Sequence, residues 1–158
     1  MRTQEALERF WKSFLDTLPA GERPARGWAD AWSFGNSPEM ADELLALVLQ
    51  GEKTATSGLK WSYEAEDDAL PEAGQYHILL DGGGMPRAVI EIVEVRVQPF
   101  RAVEEEIAFE EGEGDRSLSF WRQGHWRFFA QECRLIERTP SWDMEIVSER
   151  FRLAFPQS

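Results

Sequence analysis

Apolar residues recur at Leu7, Phe10, Trp11, Phe14, Leu15 and Leu18, three or four positions apart. That spacing predicts an amphipathic helix over Thr3–Leu18, with Thr3 at its N-cap. The breaker-rich PAGERPA ends it, and the aromatic, irregular GWADAWSFGNS reads as a covering loop. Ser37-Pro38 then opens a second helix, serine at the cap and proline in the first turn, where a missing N–H costs nothing. Met40–Leu49 continues it, and Gly51 stands where a terminating glycine is expected. The stretch GEKTATS therefore reads as the turn leaving that helix.

Tyr76–Leu80 is a short apolar run followed by the turn DGGGMP, and Arg87–Val97 is rich in β-branched residues. Together they predict a β-hairpin, with Val89, Glu91, Val93, Val95 and Val97 sharing one face and Ile90 and Ile92 starting the other. Glu91 interrupts that apolar face, either as a tolerated edge position or as a polar group facing a ligand. Ala102–Glu111 is acidic and helical in pattern. Ser117 caps a helix carrying Leu118, Trp121, His125, Phe128, Phe129 and Ile136, and Met144–Phe155 reads as a final strand. This order of elements predicts a single α+β domain with a curled, mixed sheet, and the length of 158 residues suits one core.

The chain has 29 acidic against 17 basic residues, a net charge of −12. Such a field repels polyanions and argues against phosphate-driven nucleic-acid binding, but not against a neutral nucleoside. One cysteine, Cys133, and two histidines, His77 and His125, exclude an internal disulfide and a cysteine-rich zinc site. Cys133 and His125 read as core residues, His125 hydrogen-bonded. No apolar signal core or membrane span is visible, so a cytoplasmic protein is expected.

Lys53 is the foremost candidate for chemistry. A lysine at a helix C-terminus ordinarily meets the negative end of the dipole. A catalytic one needs its pKa lowered, and Thr54, Thr56 and Ser57 beside it offer a nucleophile and hydrogen-bond donors. Those hydroxyls equally serve as caps in a turn. In EEGEGDRS, Glu111, Glu113 and Asp115 alternate with glycines. They do not match a calcium-loop spacing, so no metal or other cofactor is expected, and one carboxylate near Lys53 as acid or base is the simpler reading.

The segments AWSFGNS, GEKTATSGLKWSYE, LPEAGQYHILLDGGGMPRAVIEIVEVRVQPF and EEGEGDRSLSFWRQGHWRFF, in this order, resemble the ASCH domain family. This family is a relative of the PUA-like RNA-binding domains, and the likeness extends to its bacterial stand-alone branch. The resemblance implies a small PUA-like mixed β-barrel over residues 26–158, ringed by helices. The helix and linker of residues 1–25 pack onto it as one unit. It also implies RNA or nucleoside chemistry, since one branch removes the acetyl group of N4-acetylcytidine with a lysine, a threonine and a downstream glutamate. Carried over, these are Lys53, Thr56 and a glutamate of EEGEGD, with Glu113 ahead of Glu111 and Asp115. Gly58 stands where that branch has an arginine, and Lys60 is the nearest cation. Asn36 replaces an aspartate of close relatives and takes no role.

Three functions follow as expectations. An amidohydrolase would use Lys53, Thr56 and Glu113, with Thr54, Ser57, Lys60, Trp61, Tyr63, Trp32, Glu91, Asp115 and Arg122 around the substrate. A single-stranded RNA-binding module, or weak ribonuclease, would use Lys53, Lys60, Arg122 and Arg127. A small-ligand sensor would have the same cleft without catalysis. No obligate protein partner is expected.

Overall fold

The computed structural model describes residues 2–157. Helix α1 (Arg2–Asp16) begins before Thr3, which lies in its first turn rather than at its cap. Its apolar stripe buries Leu7, Trp11 and Phe14 against Ile78, Val89 and Ala154 of the sheet. Burying side chains of this size stabilises by roughly 1.5–3 kcal/mol each, so the stripe is what fastens the helix down.

The sheet has five strands: β1 (Asp30–Trp32), β2 (Ala55–Leu59), β3 (Tyr76–Leu80), β4 (Pro86–Pro99) and β5 (Glu145–Phe155), in the order β1-β3-β4-β5-β2. The β1–β3 pair is parallel and the others antiparallel. Two expectations are corrected here. The loop before Ser37 contributes β1, and the Lys53 motif runs into β2 rather than remaining a turn. Both strands are three to five residues long, too short for alternation to reveal them.

The β3–β4 hairpin forms as expected, but its single apolar parity does not hold. Register shifts between Val89 and Ile90 and between Ile92 and Glu94 rotate the later side chains, and Val93 and Val97 are exposed. Such bulges bend a strand and increase its twist. The half-barrel curl brings both edge strands, β1 and β2, to one cavity. Glu91 lies on central β4, not at an edge, and is neutralised by Arg152 opposite it on β5.

Helix α2 (Pro38–Leu49) is capped by the Ser37 hydroxyl, which accepts from the Met40 amide at 3.1 Å. It packs Leu45 and Val48 on Ile90, Ile92 and Phe151. A short α3 (Lys60–Ala65) follows β2. On the other side, α4 (Glu105–Glu111) and α5 (Leu118–Leu135) enclose Phe100, Trp121, Phe129 and Cys133, with Leu59 and Ile146 from the sheet. Among the described residues no helix is long and apolar enough to cross a membrane.

Candidate functional site

The chain leaving α2 is tied to the end of α4. The Thr54 amide donates to the Glu110 carbonyl at 2.7 Å, and Gly112, at φ 73°, lies so close that a Cβ there would stand 2.5 Å from the Glu52 carbonyl oxygen. Only glycine combines that left-handed conformation with so near a backbone. This docking delivers Glu111 and Glu113 to Lys53. The Lys53 Nζ lies 3.3 Å from the Glu111 carboxylate, 3.3 Å from the Glu111 carbonyl and 3.1 Å from the Glu113 carboxylate. Lys53 and Glu111 are each 1% exposed.

Glu111, not Glu113, is the hub. Besides Lys53 it accepts from the Ser57 hydroxyl at 2.7 Å, the Trp121 indole at 2.5 Å and the His125 ring at 3.2 Å. Burial alone would push its carboxyl up, but His125 and Lys53 hold it well below the usual carboxylate range. His125 points one ring nitrogen at Glu111 and the other at the Trp121 carbonyl, 2.9 Å away. Both partners are acceptors, so both nitrogens carry protons. Burial opposes that charge, but the Glu111 carboxylate outweighs it and raises the His125 pKa. The imidazolium stacks on Trp121 with centroids 4.3 Å apart. Glu111, Glu113 and His125 converge as a metal site would, within 4.8 Å. The Lys53 amine, held by both carboxylates, already supplies a cation there.

In front of this cluster lies a cavity of about 540 Å³ between the two sheet edges, a volume typical of small-molecule sites. Thr56, Ser57 and Gly58 of β2 line it, with Trp32, Phe34, Tyr63, His77 and Phe128 as aromatic walls. The Lys53 amine sits behind the Phe34 ring, 5.3 Å from its centroid. Trp32 donates its indole N–H to His77 Nδ1 at 2.9 Å, so His77 is a neutral tautomer whose Nε2–H reaches Gln75 at 3.1 Å. Burial lowers the His77 pKa, in keeping with that state.

Five carboxylates also line the cavity: Asp30, Glu66, Asp68, Glu132 and Glu149. Glu149 lies opposite Thr56 in the β2–β5 ladder. Burial, together with Asp30 and Glu111, pushes its carboxyl up to about 7. Burial likewise raises Glu132. Sequence reasoning missed Glu149, Asp30 and Glu132. An acidic residue within a β-branched terminal strand was the available signal for Glu149.

Of the residues expected around a ligand, Trp32, Thr56, Ser57 and Tyr63 line the cavity. The others do not. Thr54 bonds the Glu110 carbonyl, Lys60 pairs with Glu145, and Trp61 packs on the core under Arg138. Glu91 pairs with Arg152, and Asp115 accepts from the Ser117 amide. Arg122 lines a separate groove with Arg127, Phe100, Trp126 and Trp142. Lys53 and Thr56 share no hydrogen bond among the described residues.

The model of the ASCH domain matches residues 30–154. The chain belongs to the ASCH domain family. An ASCH domain from Lactobacillus crispatus JV V101 has the same fold, with a TM-score of 0.88 and 29% identity, over 95% of this chain and 94% of that one. A protein from Enterococcus faecalis V583, placed in the family DUF984, is 36% identical over 96% of this chain and 91% of its own, with a TM-score of 0.84. No curated protein matches this ASCH chain.

Proposed function

We propose that this ASCH domain binds a neutral, nucleoside-sized ligand in the cavity between β1 and β2 and removes an N-acyl group from it. The observation that carries this reading is the lining. Flat aromatic walls and five carboxylates surround the space, and no lysine or arginine lines it among the described residues. A phosphate entering there would meet uncompensated negative charge, whereas an uncharged heterocycle meets rings on which to stack.

Thr56 supplies the attacking hydroxyl, since it lines the cavity and has no hydrogen-bond partner among the described residues. Its oxygen attacks the acyl carbon while the hydroxyl proton passes to the departing amine, so the C–N bond breaks. An acyl ester is left on Thr56, which water then hydrolyses to the free acid and the regenerated hydroxyl. Lys53 acts as a positioning residue: three oxygens engage its amine, and it holds Glu111, which in turn anchors the Ser57 hydroxyl beside Thr56. Glu113, only half-buried, adds a second carboxylate to the Lys53 amine.

An RNA-binding module finds less support. Lys53 is buried, Lys60 is paired with Glu145, and Arg122 and Arg127 line a different groove. Among the described residues no single groove gathers the four cations that such binding would use. A noncatalytic sensor would use the same cavity.

The test is incubation of the purified protein with N-acylated nucleosides and short RNAs, products read by mass. The expected result is deacylation of nucleosides, lost in Thr56→Ala, with the RNAs intact. Cleaved RNA, or deacylation undiminished in Thr56→Ala, overturns the reading.

A further inference from the structure

Glu149 is 4% exposed as a residue, lines the cavity, and its side chain makes no hydrogen bond or ion pair among the described residues. Its carboxyl oxygens are not sealed off from the cavity, so their hydrogen-bonding capacity is available to whatever fills that space. Its neighbour across the ladder is Thr56, and directly opposite residues have Cβ atoms about 5 Å apart, so the carboxyl borders the site of attack. Every charged group that faces it makes a carboxylate there less favourable: Asp30 from β1 and Glu111 from the end of α4. Tyr63 on α3, Glu132 on α5 and neutral His77 on β3 line the same space and supply no cation.

We propose that Glu149 is a ligand-binding residue that engages, as a neutral acid, a heterocycle edge carrying one hydrogen-bond acceptor beside one donor. A carboxylic acid has one O–H and one carbonyl side by side, which matches such an edge, whereas a carboxylate has acceptors only. Cytosine (N3 beside N4–H) and uracil (O4 beside N3–H) have that mixed edge. Guanine has it at O6 and N1–H but also carries adjacent donors at N1–H and N2–H, so it alone can still pair with the carboxylate. The carboxyl titrates at about 7, so the matching form dominates below neutral pH and gives way to the carboxylate above it. This rests on the nucleoside reading of the same cavity and adds to it the group that reads the ring.

The test is equilibrium binding of cytidine, uridine and guanosine to the wild-type protein, Glu149→Gln and Glu149→Leu at pH 6 and pH 8. Thermal unfolding of each variant checks that it is folded. Glutamine keeps a donor beside an acceptor but does not titrate. The expected result is pyrimidine affinity that weakens by about tenfold from pH 6 to pH 8 in the wild type. Glu149→Gln should bind equally at both, and folded Glu149→Leu should bind at least about tenfold more weakly at pH 6. Wild-type binding that ignores pH, guanosine affinity that falls from pH 6 to pH 8 as steeply as that of the pyrimidines, unchanged affinity in Glu149→Leu, or no nucleoside binding overturns the assignment. The two readings fail separately. Pyrimidine binding with this pH dependence but without deacylation removes the reaction and leaves Glu149 in place. Deacylation with an unchanged KM in Glu149→Leu does the reverse.

Discussion

Lys53 and Glu111, 58 residues apart in the chain, bury their charges against each other at 3.3 Å. Neither is free to meet solvent, and both reach outward through neighbours: Glu111 through Ser57, Lys53 through the ring of Phe34. The cluster is a rigid wall behind the cavity, held by interactions whose removal should be felt in stability.

Lys53→Met leaves Glu111 with only His125 to balance its charge. Breaking one partner of a buried pair costs about 3–5 kcal/mol. A loss of that order is expected in urea unfolding at pH 7, and Lys53→Met combined with Glu111→Gln should recover part of it. A single-variant loss below about 1 kcal/mol would contradict the buried pairing.

The pH dependence of stability carries a second prediction. Glu149 titrates at about 7 when folded, against an ordinary value of 4.5. A carboxyl raised in this way contributes stability fully below pH 4.5, and that stability is lost as pH rises towards 7. The span corresponds to about 3 kcal/mol at most. Glu149→Gln should therefore gain on the wild type between pH 5 and pH 8, in urea melts at the two values. A constant gap between the two proteins would show that Glu149 is not raised.

The sign is opposite for Glu111, whose carboxyl is lowered. Its contribution is present above pH 4.5 and lost as pH falls through its folded value. His125, raised above 6.5, contributes below that pH and loses its contribution as pH climbs through its folded value. Replacing His125 with glutamine should consequently cost more stability at pH 6 than at pH 9, measured by urea unfolding. Equal costs at both would mean a neutral imidazole.

Gly112→Ala tests how the loop is delivered. Alanine there must adopt φ 73° with its methyl against the Glu52 carbonyl. Strain of about 1–3 kcal/mol is expected, seen as a lower melting temperature. A neutral result would mean that the backbone at Glu52 yields easily.

A nucleoside should bind more tightly than its 5′-monophosphate, and the gap should widen as salt is lowered from about 500 to about 50 mM, because the cavity carboxylates repel the phosphate. A monophosphate that binds more tightly as salt is lowered would point to cationic residues at the cavity.

The sequence legibly carried the long elements and the pieces of the site. Repeating apolar positions in α1 and α5, the Ser37 and Ser117 caps and the DGGGMP turn are local signals, readable because a helix face or a turn is decided within a few residues. Lys53 and the acids of EEGEGD were visible as chemistry in the same way, and both contribute to one buried cluster. Tertiary structure alone decided which acid is the hub, since Glu111 and Glu113 differ only in what a left-handed Gly112 lets each reach. It also decided that Thr56 faces Glu149, because strand register depends on pairing across the sheet and not on spacing along the chain. The cavity itself exists only because bulges curl β4 enough to bring two edge strands together, a long-range consequence that no local window of residues contains.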